Sequence, residues 1–185
     1  RGVVKAVDGI SYTVERGETF GVVGESGAGK SVTGLSVLDL IEAPGEIVDG
    51  EILYKGQDLL QMDAAEIRHI RGNDIAVIFQ DAMTAFNPAF TIGTQISDVI
   101  REHNDVSADE AREQAIQLLD DVDIPDPRDR IGDYPHQFSG GMRQRALIAM
   151  ALSCDPDLII ADEITTGIDV TTQATILELL ARLQE

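Results

Sequence analysis

A chain of 185 residues suffices for one domain with a hydrophobic core, or for a domain with an added lobe. Apolar residues at 43% and charged residues at 25% fit a globular chain and argue against wholesale disorder. A formal net charge of −19, with lysine confined to Lys5, Lys30 and Lys55, makes nucleic acid and anionic lipid poor partners. Aromatics at 4% and no tryptophan argue equally against a stacking surface for single-stranded nucleic acid. Scarce lysine beside abundant aspartate reads as adaptation to concentrated salt, where screening removes carboxylate repulsion. Cys154 is alone, so no internal disulfide is expected. No apolar run approaches the roughly 18 residues of a membrane span, and no signal peptide is expected. The first residue is Arg1 rather than methionine, and the last, Glu185, falls inside a helical pattern. The expectation is a fragment of a longer protein.

In chain order, residues 3 to 23 hold short β-type runs divided by the turn Glu15-Arg16-Gly17-Glu18. Thr19 to Val23 then reads as a buried strand entering a glycine-rich loop. A helix is predicted over Lys30 to Leu40, a strand over Ile47 to Tyr54, and a short helix over Ala64 to Arg71. Ile75 to Phe79 is a continuous apolar run, as in a strand covered on both faces. A helix is expected from Gly93 or Thr94 to about Glu102. Ser107-Ala108-Asp109-Glu110 has the form of a capping box, and Ala111, Ala115, Leu118, Leu119 and Val122 form one stripe behind it. Another helix should run from about Gly140 to Ser153, followed by a buried-type strand over Leu158 to Ala161. From Val170, the residues Ile176, Leu177, Leu180 and Leu183 suggest a helical face. The pattern predicts an α/β core (1–80 and 154–185) with a helical subdomain (81–153).

Gly24-Glu25-Ser26-Gly27-Ala28-Gly29-Lys30-Ser31 fits G-x-x-x-x-G-K-[ST] at every fixed position. Glycines let the backbone turn tightly, so that N–H groups point at phosphate oxygens, and the following helix adds its positive end. Lys30 would reach the β- and γ-phosphates and the Ser31 hydroxyl would ligate Mg²⁺, with Val32 completing the binding segment. Asp162 ends a hydrophobic strand, where its carboxylate can approach the magnesium, and Glu163 beside it can polarise an attacking water. Phe138-Ser139-Gly140-Gly141-Met142-Arg143-Gln144-Arg145 reads alone as a flexible turn with a helix N-cap at Ser139. Its exposed N–H groups and hydroxyl also suit an anion.

Together with the phosphate loop and Asp162-Glu163, this string resembles the signature of ABC-type ATPases. The resemblance covers essentially the whole chain: Walker A, then Gln80 closing a strand, then signature, Walker B and Asp169. It implies a P-loop NTPase fold, with a RecA-like sheet, N-terminal antiparallel β strands and a helical subdomain. Phe79 to Pro88 and Tyr134 to Arg145 resemble the Q-loop and signature region of oligopeptide and dipeptide importer ATPases.

The resemblance implies a subunit that binds ATP and Mg²⁺, held at the cytoplasmic face of the membrane by permease subunits. An extracytoplasmic solute-binding protein would act indirectly. It implies a homo- or heterodimer of ATPase subunits, in which Ser139, Gly140 and Gly141 of one copy meet the γ-phosphate held by Gly24 to Ser31 of the other. Gln80 would sense Mg²⁺ and the attacking water, Glu163 would be catalytic, and Asp169 would act across the interface. Ile164 stands where the family usually has proline, Gly167-Ile168 replaces Ala-Leu, and Ala82 replaces a common proline. The family's switch histidine and adenine-stacking aromatic have no counterpart in these residues, and His69, His103 and His136 read as ordinary surface residues. A soluble ABC-type ATPase of DNA repair or translation is the competing reading; the Q-loop string favours the transporter.

Overall fold

The computed structural model describes residues 2–80, 82–164 and 170–183. By packing they form two compact units, one ending at Arg68 and the other beginning at His69. The division falls inside a helix, and each unit is described by itself. The expected split into an α/β core and a helical subdomain follows different boundaries and stays a proposal.

In the first unit, residues 2–28 are exposed throughout, and no strand occurs among the described residues before Leu53. The strand expected over Thr19 to Val23 is therefore absent; Val23 is 96% exposed. An apolar run becomes a strand only when a neighbour completes its ladder, and none does so here. Tyr12 and Phe20 instead stack on each other, with ring centroids 5.0 Å apart.

Helix α1 covers Lys30–Ser36, shorter than predicted. The chain turns left at Asp39 (φ 50), and Asp39 N–H donates to Ser36 O while Leu40 N–H donates to Leu35 O. That pair of bonds is a Schellman closure, which stops the helix before Leu40. Strands β1 (Leu53–Tyr54) and β2 (Gln57–Asp58) pair antiparallel. Lys55 and Gly56 join them with φ of 50 and 82, the twist a two-residue hairpin requires. The expected strand over Ile47 to Tyr54 is thus reduced to its last two residues. Helix α2, Ala64–Ile70, closes the unit and crosses into the next.

The second unit is built around two parallel strands, β3 (Ile75–Ile78) and β4 (Leu158–Ala161), in register from Ile75↔Leu158 to Ile78↔Ala161. Between them run α3 (Ala82–Ala85), α4 (Ile92–His103), α5 (Ala108–Asp121), α6 (Pro127–Arg130) and α7 (Gly140–Ala151). Ile92, Ile96 and Ile100 line the inward face of α4 at one-turn spacing, each wholly buried. The capping box forms as predicted: Ser107 Oγ accepts from Glu110 N–H, and Glu110 Oε2 accepts from Ser107 N–H. Behind it Ala111, Ala115, Leu119 and Val122 are buried, with Leu118 at the edge. In α7, Ala146 to Ala149 are buried in succession, which covers every side of a helix and makes α7 the central one.

Two expectations on this unit change. β3 is buried, but β4 is only half-buried along Leu158 to Ile160 and exposed at Ala161, because α7 packs on β3 and no described helix packs comparably on β4. In α8 (Val170–Leu183) the inward residues are Ile176 and Leu179, whereas Leu177 is 56% exposed. At 100° per residue, Leu177 is turned away from the stripe that 176, 179 and 180 share.

Candidate functional site

The glycine-rich loop lies in the first unit. Ala28 N–H donates to Glu25 O, and Gly27 and Gly29 take φ of 80 and 87, a region that L side chains rarely adopt. Gly29 also approaches Ala6 so closely that a Cβ there would stand 2.3 Å from the Ala6 carbonyl oxygen. Lys30 Nζ donates to Gly24 O and Glu25 O, 3.0 Å from each, so the loop's own carbonyls set the ammonium's position. Thr33 N–H and Oγ1 both bond Gly29 O, which fastens the start of α1 to the loop. Glu25, Ser26 and Ala28 are exposed; Ser31 and Val32 are half-buried. The loop thus gathers backbone N–H groups, an ammonium and a hydroxyl around glycines, of which Gly29 leaves no room for a Cβ. Such a donor set fits a polyphosphate.

The second unit carries a different cluster. Parallel pairing sends both strands out at the same end, so the residues after Ile78 and Ala161 emerge together. Asp162 N–H donates to Ile78 O, continuing the ladder by one bond. Gln80 Nε2 then donates to Glu163 Oε2 at 3.1 Å, joining residues 83 positions apart. Both side chains are exposed, Asp162 is half-buried, and Glu163 adopts φ 47. An exposed carboxylate oriented by an amide can accept a proton from water; a neighbouring strand-end carboxylate can serve a cation.

Ser139 begins α7, its Oγ accepting from Met142 N–H at 3.3 Å. Phe138, 2% exposed, anchors the turn from inside, while Arg143 Nη1 donates to Pro135 O across it. Ser139 and Gly140 face outward and Gly141 is half-buried, so this turn is open to a ligand or a second chain. Asp169 lies outside the described residues. His69 and His136 are exposed and His103 half-buried. Among the described residues, no group of three or more His, Cys, Asp or Glu could hold a metal ion by itself.

Sequence reasoning missed Gln95. Its Oε1 accepts from Asn87 N–H at 2.8 Å, and its Nε2 donates to Asn87 O and Phe90 O at 3.1 Å. One side chain thereby fixes the loop between α3 and α4. A glutamine inside an amphipathic helix, near its start, is the only signal for this in the sequence.

The family described as ABC transporter matches residues 7–166. The dipeptide transport ATP-binding protein DppD of Bacillus subtilis (strain 168) is 52% identical over 184 residues, covering 99% of this chain and 55% of that protein. The oligopeptide transport ATP-binding protein OppD of the same organism is 48% identical over 185 residues, covering 100% of this chain and 52% of that protein. The chain therefore spans about half the length of the curated relatives it matches. Among solved structures, a dimeric ATP-binding cassette in a post-hydrolysis state, bound to ADP and Pi, aligns with a TM-score of 0.84. That alignment has 27% identity and covers 97% of this chain and 75% of the other.

Proposed function

This chain belongs to the ABC transporter family, and on that premise we propose that it binds and hydrolyses ATP to energise import of peptides or a related small solute. The observation that carries the reading is the Gln80–Glu163 hydrogen bond at 3.1 Å. It sets an exposed carboxylate beside the amide that the family resemblance assigns to sensing water. The choice of peptides rests on the names of the relatives, dipeptide and oligopeptide transport proteins.

Each residue has a separable task. Backbone N–H groups of Gly24 to Ser31, with the Lys30 ammonium and Val32 behind them, grip the triphosphate. The Glu163 carboxylate orients the attacking water and takes up its proton, and Gln80, whose amide donates to that carboxylate, senses the same water. Ser31, Gln80 and Asp162 are the residues that would hold Mg²⁺, each through a hard oxygen donor. One carboxylate in that set is ordinary, since magnesium usually draws further ligands from phosphates and water. When bound, the ion neutralises charge on the β- and γ-phosphate oxygens.

A second ATPase copy, identical or homologous, brings Ser139, Gly140 and Gly141 to the γ-phosphate, with Asp169 at the interface. The outward-facing Ser139 and Gly140 support this. Permease subunits hold the pair at the cytoplasmic face of the membrane; a solute-binding protein delivers cargo indirectly, and nucleic acid is no partner. The test uses the full chain. Lys30→Ala abolishes ATP binding or turnover, and Glu163→Gln with saturating Mg-ATP accumulates as a dimer by light scattering. Undiminished hydrolysis by Lys30→Ala would refute the site, and a persistently monomeric Glu163→Gln would refute the two-copy mechanism. Co-purification with a multispanning membrane subunit separates a transporter from a repair or translation ATPase.

A further inference from the structure

Ile164 follows Glu163 directly and is 7% exposed, part of the apolar core of the second unit. Glu163 is exposed and holds φ 47, a left-handed conformation that an L residue with a Cβ rarely adopts. Asp162 is tied to Ile78 O just before it. Within three residues the chain thus leaves the strand ladder, turns a carboxylate outward and drives an isoleucine inward. The left-handed turn at Glu163 makes that reversal in one step.

Something must hold Glu163 in that conformation. Its bond to Gln80 joins two exposed side chains, where water screens the charge and competes for both partners. A buried isoleucine acts out of water's reach, through the apolar area that its side chain removes from solvent. We propose that Ile164 is the positioning residue of Glu163: its burial keeps Glu163 in the left-handed turn and so sets the carboxylate against Gln80. The proposal rests on the reading of Glu163 as the residue that orients the attacking water. Strain held by surrounding packing at a reacting group is a known way to fix its aim.

The experiment is steady-state ATP hydrolysis by the full chain, comparing Ile164→Ala, Ile164→Val and Ile164→Leu with the parent. Misplacing the carboxylate by a fraction of an ångström should lower kcat about tenfold in Ile164→Ala while KM for ATP stays within about twofold. Ile164→Leu, of equal volume, keeps kcat near the parent value. Leu179→Ala, which opens the same core at another buried residue, lowers the melting temperature without lowering kcat in the folded protein. If Ile164→Ala does not fold, Ile164→Val carries the test, with a loss of about twofold to threefold in kcat at constant KM. Parent-like kcat in the truncated variants, or a matching loss in Leu179→Ala, overturns the proposal. Glu163→Gln separates the two readings: if it hydrolyses ATP like the parent, the assignment of Glu163 fails and the positioning role with it. An inactive Glu163→Gln beside a fully active Ile164→Ala sinks the positioning role alone.

Discussion

Replacing one glycine at a time with alanine grades the phosphate loop by its own geometry. At Gly21, which precedes the loop, an added Cβ meets nothing within 4 Å and φ lies outside the left-handed region, so Gly21→Ala leaves ATP affinity unchanged. At Gly27 the space is again open, but φ is 80 and the alanine is strained. Strain of about 1–2 kcal/mol depletes the binding-competent loop, so apparent affinity falls about 5- to 30-fold. At Gly29 the same strain is joined by a Cβ 2.3 Å from the Ala6 carbonyl oxygen, where contacts under 3.0 Å are essentially never seen. Neither partner is the end of a flexible side chain, so backbone must shift and N–H groups leave their phosphate positions. Loss of one charge-assisted hydrogen bond adds about 1.5–3 kcal/mol, bringing the weakening to the order of a thousandfold. Titration of the full chain with a fluorescent ATP analogue, alongside a thermal melt, reads the series. Equal weakening at Gly27 and Gly29, or parent-like binding by Gly29→Ala, would refute the reasoning.

Leu179→Ala destabilises by about 2–4 kcal/mol in urea unfolding, since Leu179 is 2% exposed. Leu177→Ala, at 56% exposure, changes stability by less than about 0.5 kcal/mol; the reverse order would refute the assigned face of α8. The Ser107 hydroxyl, and then its backbone N–H, hold the Glu110 carboxyl below its ordinary range. A depressed carboxylate stabilises above its unfolded pKa and loses that contribution as pH falls through its folded pKa. Parent and Glu110→Gln should therefore converge in melting temperature as pH falls below the carboxylate range; a gap that widens in acid contradicts the cap. Burial raises the Cys154 thiol above its usual range, so it alkylates more slowly than free glutathione at neutral pH and speeds up on unfolding. Reaction at the free-thiol rate in the folded state would show the burial is wrong.

The parts legible in the sequence are those decided by near neighbours. Ser107 and Glu110 make their bonds within one helical turn, so four letters announce them. The α5 stripe from Ala111 to Val122 follows from period alone, and the run over Ile75 to Ile78 marks a strand buried as expected. The losses are decided elsewhere in the chain. Thr19 to Val23 has strand composition but no ladder, because pairing belongs to two segments and a sequence window shows one. Leu177 and Leu179 are both leucine, and only packing distinguishes them. Around the strand ends, residue type pointed to Glu163 and the family resemblance to Gln80, but neither the turn at φ 47 nor the burial of Ile164 has a local signal. Gln95 escaped because its work consists of bonds to backbone, which any glutamine could make.

The bond between Gln80 and Glu163 spans 83 positions of chain, and among the described residues five α-helices are threaded between its ends. A ribosome therefore releases the first half of this centre long before the second exists. Until Leu158 to Ala161 come alongside Ile75 to Ile78, the glutamine has no carboxylate to orient. Competence cannot accumulate gradually as the polypeptide lengthens; it arrives in one closing event, and a partly made protein carries no partly working version of it.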